Sequence, residues 1–151
     1  MLAPRGVGPS EWTHQSPPNY VERAHALLGR TVDEGRVRDI AATLRWLDAR
    51  SAGKTRWTVA GSGQAGVLAA YAALFEPTAA RVVAAAPPAS HRDGPIFLGV
   101  LRVLDVPEAL GLLAPTPLHL IGASDPAFER TASLYKVSGR ADRLTKTDAK
   151  E

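Results

Sequence analysis

The segment of this sequence whose residue types and spacing are most typical of a chemical site is a glycine-rich turn, Gly61-Ser62-Gly63-Gln64-Ala65-Gly66. It follows a short β-prone run at 56–60 and precedes an alanine-rich run typical of a helix. Glycines let the backbone of such a turn approach a ligand closely, and a helix N-terminus stabilises negative charge. The turn therefore predicts either a phosphate-binding site or a turn that presents a nucleophile.

The first hypothesis is dinucleotide binding, because Gly61, Gly63 and Gly66 match the spacing G-x-G-x-x-G after a strand. That motif also requires an Asp or Glu about 20 residues further on, which binds the ribose hydroxyl. The corresponding segment, residues 82–87, contains only valine, alanine and proline. Nucleotide binding is therefore the weaker hypothesis, and we predict no cofactor.

The second hypothesis is a nucleophile elbow, G-x-S-x-G, in which a strand turns sharply into a helix and presents a hydroxyl group between small residues. Aligning Gly61 with the first glycine places Gly63, which has no hydroxyl, at the nucleophile position, with the Gln64 amide as an oxyanion-hole donor. Aligning Ser62 with the nucleophile instead places the large Gln64 where a small residue is needed. A purely structural turn with an exposed Ser62 is the third interpretation.

Two further candidate catalytic residues follow later predicted strands. His91 lies in the loop after a strand at 81–86, and Asp125 lies in the turn after a strand at 118–121. Ser62, His91 and Asp125 could together perform acyl transfer, because a catalytic triad is defined by geometry rather than by chain order. The alternative is that His91 is a loop histidine and Asp125 a helix N-cap.

The elements that must position these residues alternate along the chain. Thr31 and Glu34 have the spacing of a capping box ahead of the first predicted helix. The predicted helices span about 31–53, 64–75, 96–104, 107–113 and 125–137. Strands that alternate with such helices indicate an α/β fold with three layers, α/β/α, in which a small, mostly parallel sheet has helices on both faces. We expect an extended N-terminal segment over 1–30, the core over 31–140 and a charged tail over 141–151.

Length and composition exclude several classes of protein. A chain of 151 residues with 45% hydrophobic residues is typical of one globular domain, and its net charge of +3 is too small to indicate nucleic-acid binding. No apolar run is long enough for a membrane span, and the first residues lack the pattern of a signal peptide. The absence of cysteine excludes thiolate zinc sites, and His14, His25 and His119 lack companions at metal-ligand spacing, so no metal site is predicted.

The order of these segments resembles the later half of an α/β-hydrolase, and within that superfamily the bacterial acetyl-xylan-esterase-like or deacetylase-like branch. The resemblance rests on the segments 5–8, 19–23, 57–70, 82–88 and 118–125. It implies a partial α/β-hydrolase fold and a carboxylic-ester hydrolase that acts on a small ester through a serine ester.

Carried over by position, the resemblance places Gly63 where active members have the nucleophilic serine, and Asp125 where they have the acid that orients the catalytic histidine. No histidine follows Arg140 in this sequence. The resemblance therefore implies an esterase-like domain that is catalytically impaired. The alternative is a noncatalytic structural or interaction domain. Such a domain would be either a piece of a longer protein or one half of an assembly, which self-associates or binds a partner chain over an exposed sheet edge.

Overall fold

The structure is a computed structural model that describes residues 1–12 and 18–148. Its α-helices are α1 (Pro18–Leu27), α2 (Val32–Ser51), α3 (Gln64–Phe75), α4 (Val106–Gly111) and α5 (Glu129–Val137). Its strands are β1 (Trp57–Ser62), β2 (Ala79–Ala85), β3 (Leu118–Ile121) and β4 (Leu144–Thr147). Strands and helices alternate from β1 onward, which confirms the predicted α/β fold.

The four strands form one parallel sheet in the order β1-β2-β3-β4. Each connection between parallel strands is expected to be right-handed. The strands follow one another across the sheet in chain order. Right-handed connections between such strands place all three crossovers on the same face of the sheet. Helix α3 packs against β1 and β2, α2 packs on α3, and α4 packs on α5.

Burial separates the two faces of the sheet. On the helical face, Val82, Ala84, Leu118 and Leu120 are buried in the hydrophobic core. On the opposite face, the exposed residues include Thr58, Ala60, Ser62, Arg81, Thr145 and Thr147. The sequence predicted helices on both faces, whereas the described helices cover one, because the strand order has no point at which the crossovers reverse direction.

The helix predicted at 96–104 is replaced by a short 3-10 turn at Val100–Arg102. The segment follows Pro95, its Ile96 amide donates to a side chain of α2, and the chain adopts a left-handed conformation at Gly99, with φ 71°. A right-handed helix cannot pass through a residue in that conformation. This part of the prediction was wrong.

Both chain ends contain more structure than the sequence indicated. The predicted extended segment 1–30 includes α1, which begins at Pro18, where proline is tolerated because the first N–H groups of a helix are unpaired. The predicted tail includes a 3-10 turn, Ala141–Arg143, followed by β4. The residues of β4 are mostly exposed, so their hydrophobicity pattern did not indicate a strand. Residues 149–151 of the predicted tail lie outside the described residues.

Candidate functional site

The glycine-rich turn connects β1 to α3 at the carboxyl end of the sheet, where ligands of open α/β sheets bind. A Cβ atom added at Gly61 would overlap with the carbonyl group of Ala65 and would lie 2.6 Å from the Gly66 amide nitrogen. Position 61 therefore has to be glycine because the first turn of α3 packs directly on the strand. The turn is as tight as a nucleophile elbow requires.

Gly63 lies at the apex of this turn, with φ 59° and ψ −133°. Its amide donates a 2.8 Å hydrogen bond to the Ala85 carbonyl oxygen, which fixes the apex against the end of β2. Residues with a side chain rarely adopt this backbone conformation. Backbone conformations of this kind are typical of functional sites. A Cβ atom at Gly63 would have no heavy atom within 4 Å, so a side chain at the apex would project into open space.

Ser62, the residue before the apex, is the last residue of β1 and lies on the uncovered face of the sheet. It is exposed, and its hydroxyl group has no hydrogen-bond partner among the described residues. Within residues 1–12 and 18–148, no base is therefore positioned to remove its proton.

His91 is buried on the helical side of the molecule, with 6% of its surface exposed. Its Nδ1 lies 2.8 Å from the Pro95 carbonyl oxygen, and its Nε2 lies 2.8 Å from the Tyr71 hydroxyl. A carbonyl oxygen only accepts, so Nδ1 donates to Pro95, and in the neutral imidazole Nε2 accepts from the Tyr71 hydroxyl. Both ring nitrogens are thus occupied, and the structure does not bring His91 together with Ser62.

Burial, and to a lesser extent the negative charge of Asp105, raise the pKa of Tyr71 to about 12. The Tyr71 hydroxyl is consequently protonated across the physiological range and remains a donor to His91. Tyr71, His91 and Phe97 form a cluster of three rings with centroid separations of 4.6–5.5 Å. The contacts of His91 are those of a packed structural residue.

Asp105 organises the loop that carries His91, a role the sequence analysis missed. Its carboxylate accepts hydrogen bonds of 2.7 Å from the Ser90 hydroxyl and the His91 amide, and one of 2.8 Å from the Val106 amide. Burial alone would raise the pKa of Asp105, but these donors outweigh it and lower the pKa below its usual value. The sequence signal was the capping box that Asp105 forms with Glu108 at the start of α4.

Asp125 lies after β3, where the sequence placed it, and is exposed. Its carboxylate accepts a 2.8 Å hydrogen bond from the Ala127 amide and thereby caps a 3-10 turn at Pro126–Phe128. Asp125 also lines a depression of about 240 Å³ with Thr147 and Asp148 at the end of β4. No hydrogen bond within the described residues joins it to His91 or Ser62.

The side chain of Gln64, the residue after the apex, donates a 2.8 Å hydrogen bond to the Asp93 carbonyl oxygen. This contact ties the start of α3 to the loop after β2. The Gln64 amide is the first of the helix and has no partner within it, as expected of helical N-termini. The elbow interpretation predicts this amide as an oxyanion-hole donor.

Neither a cluster of metal-ligating side chains nor a helix able to cross a membrane occurs in residues 1–12 and 18–148. His25 contacts the Val21 carbonyl oxygen, and His119 contacts the Thr147 hydroxyl. His14 lies outside the described residues.

The fold of this chain is similar to that of a solved structure. A crystal structure described as a "putative acetyl xylan esterase" from Bacteroides fragilis matches this chain with a TM-score of 0.64 and 14% sequence identity. The chain has an esterase-like α/β fold. The match covers 97% of this chain and 45% of that protein, so this chain spans less than half the length of its neighbour. No protein-family model and no curated protein matches the sequence.

Proposed function

We propose that this chain is an esterase-like α/β domain that does not hydrolyse esters by itself. The observation that carries this proposal is Gly63, which lies at the apex of the turn with φ 59° and ψ −133° and has no side chain. In acyl transfer by the serine mechanism, the residue at this apex supplies the attacking oxygen. Glycine there cannot form an acyl-enzyme.

The rest of the elbow is retained. Gly61 allows α3 to pack on β1, and the Gln64 amide remains available at the start of the helix. An amide at this edge can donate a hydrogen bond to a ligand, for example to the carbonyl oxygen of an ester, without reacting with it. Binding without turnover is the activity that these groups support.

The experiment is intact-mass analysis after treatment with a fluorophosphonate, which reacts with activated serines. We expect no adduct on the folded chain and no hydrolysis of p-nitrophenyl acetate above the rate of the Ser62→Ala variant. An active serine esterase treated in parallel shows that the reagent is competent. A single adduct on Ser62, together with hydrolysis that Ser62→Ala abolishes, would overturn the proposal.

That outcome would favour the competing hypothesis, in which Ser62 is the nucleophile for a small ester, with His91 and Asp125 as partners. The hypothesis requires His91 to exchange its contacts with Tyr71 and Pro95 for one with Ser62. A labelled Ser62 whose reactivity is lost in His91→Gln but kept in His119→Gln would support it.

A noncatalytic interaction domain would use the uncovered sheet face or an outer strand edge. β1 and β4 are the outer strands, and neither has a second neighbour within the described residues. Unpaired strand edges are sites for pairing with another chain. Size-exclusion chromatography with light scattering tests self-association, and a monomer at all concentrations would argue against pairing with a second copy.

Nucleotide binding has little support from the sheet. Dinucleotides bind where the strand order reverses, next to a strand with neighbours on both sides. Here β1 is an outer strand of the described sheet, and β2 ends at Ala85 without an acidic residue for a ribose hydroxyl. A thermal shift with millimolar NAD would restore this hypothesis.

A further inference from the structure

A cavity of about 390 Å³ lies at the amino-terminal end of the sheet, opposite the edge that carries the glycine-rich turn. Segments that lead into all four strands line it. Its charged residues are Arg56, Arg140, Arg143 and Asp48. Arg56 immediately precedes β1, and Arg140 and Arg143 precede β4. The fold therefore brings cations that are distant in sequence to a single opening.

Two of these arginines have no counterion in the part of the chain that the structure describes. Neither Arg56 nor Arg140 makes a side-chain hydrogen bond or an ion pair with any described residue, and Arg143 makes one contact of 3.3 Å, with Asp142. The Asp48 carboxylate lines the same cavity without pairing to an arginine. The three guanidinium groups thus outnumber the single carboxylate on the lining.

The Nε atom of Arg140 is buried and has no hydrogen-bond partner in the described chain. Arg140 as a whole is half-buried, but this N–H group has lost its contact with water, and a buried donor without an acceptor is costly. Such groups in native proteins usually have an ion or a water as the missing partner. The geometry of a guanidinium group matches the oxygens of a phosphate or a carboxylate, which it can bind in a bidentate way.

We propose that this cavity is a binding site for a small dianionic oxyanion, a phosphate or a dicarboxylate, held by Arg140 and Arg56. The volume accommodates such a group with room for a small attached moiety. Asp48 provides an acceptor on the same lining, which would favour a ligand that also carries a hydroxyl or amino group. The site is independent of the esterase-like edge.

The test is calorimetric titration of the full chain with inorganic phosphate and, separately, with malonate, against sodium chloride at equal ionic strength. We expect saturable binding and a rise in Tm that follows mass action for at least one of the two dianions. Tighter binding of phosphate assigns the site to phosphate-bearing ligands, and tighter binding of malonate assigns it to dicarboxylates. If both anions act as chloride does, only water fills the cavity and the proposal is overturned.

Substitutions then locate the site. Arg140→Gln and Arg56→Gln are each expected to weaken anion binding at least tenfold, whereas Arg92→Gln, an exposed arginine in the loop after β2, leaves it unchanged. Arg56 is exposed, so its replacement keeps the test valid if Arg140→Gln does not fold. Wild-type affinity in folded Arg56→Gln, or equal losses in Arg92→Gln, would overturn the proposal.

Discussion

The Tyr71 hydroxyl donates a 2.8 Å hydrogen bond to Nε2 of His91, a residue in the loop 20 positions further along the chain. The contact joins α3 to the loop that follows β2. It also removes the one imidazole nitrogen that could act as a base, because the other donates to the Pro95 carbonyl oxygen. The contacts of the candidate catalytic His91 are therefore those of a residue that stabilises the fold.

We predict that Tyr71→Phe lowers the free energy of unfolding by about 1–3 kcal/mol, since it leaves a buried imidazole nitrogen without a partner. Urea denaturation measures the change. A double-mutant cycle with His91→Leu should show that the two losses are not additive, because both variants remove the same contact. Additive losses, or a Tyr71→Phe variant as stable as the wild type, would contradict this account of His91.

Two glycines of the turn, Gly61 and Gly63, should respond differently to the same added methyl group. Gly61→Ala is expected to cost at least about 3 kcal/mol, because its Cβ atom would overlap with backbone that cannot move away. Gly63→Ala should cost about 1–3 kcal/mol, since it meets no atom and adds only backbone strain. Chemical denaturation of both variants gives the comparison, and equal costs would be inconsistent with the close packing of α3 on β1.

The N-terminal segment is held to α2 through Arg5 and Asp39. The guanidinium group of Arg5 contacts both carboxylate oxygens of Asp39, at 2.7 and 2.9 Å. Asp39→Asn should accelerate tryptic cleavage after Arg5, because the charge that holds Arg5 is removed. The change in global stability should be less than about 1 kcal/mol, because both side chains of the pair are partly exposed. Asp93→Asn, an exposed aspartate without a side-chain partner, is the control, and unchanged cleavage in Asp39→Asn would disprove the anchoring role.

This anchor should also depend on pH. The hydrogen bond from Arg5 lowers the pKa of Asp39 below its usual value of 3.8. A lowered folded-state pKa gives stability that is present above pH 3.8 and is lost as pH falls through the folded-state value. Cleavage by pepsin near the N-terminus should therefore increase below pH 3.8 in the wild type and show no such dependence in Asp39→Asn.

Asp105 should contribute a second acid-sensitive interaction. Its lowered pKa means that the network with Ser90 and His91 is intact above pH 3.8 and weakens as pH falls below it. Asp105→Asn should destabilise the chain at pH 7 and flatten the decline in unfolding free energy as pH falls below 3.8, since the lowered pKa places the loss below that value. Asp125→Asn, which changes another N-cap, serves as the comparison, and an equal flattening there would argue against a special role for Asp105.

Local interactions explain what the sequence predicted well. Helix α3 spans Gln64–Phe75 as expected, and Thr31 accepts a hydrogen bond from the Glu34 amide at the start of α2. Caps, prolines and apolar spacing act within one or two helical turns, so they can be read from neighbouring residues. Asp125 as an N-cap belongs to the same class of prediction.

Nonlocal pairing explains what the sequence missed. β4 is recognised by its backbone pairing with β3, for example Leu118 opposite Leu144, and not by its own side chains, of which three of four are exposed. The strand order decides that the described crossovers share one face, and no local pattern encodes that order.

The sequence by itself determined the α/β alternation, the glycine-rich turn and the absence of a hydroxyl at Gly63. Only the tertiary structure decided that His91 is enclosed by Tyr71 and Phe97, that Ser62 has no base among the described residues, and that Arg56 and Arg140 line one cavity. The reason is physical: a residue's type and local context follow from its neighbours in the chain, whereas its hydrogen-bond partners and its burial depend on segments that packing brings together.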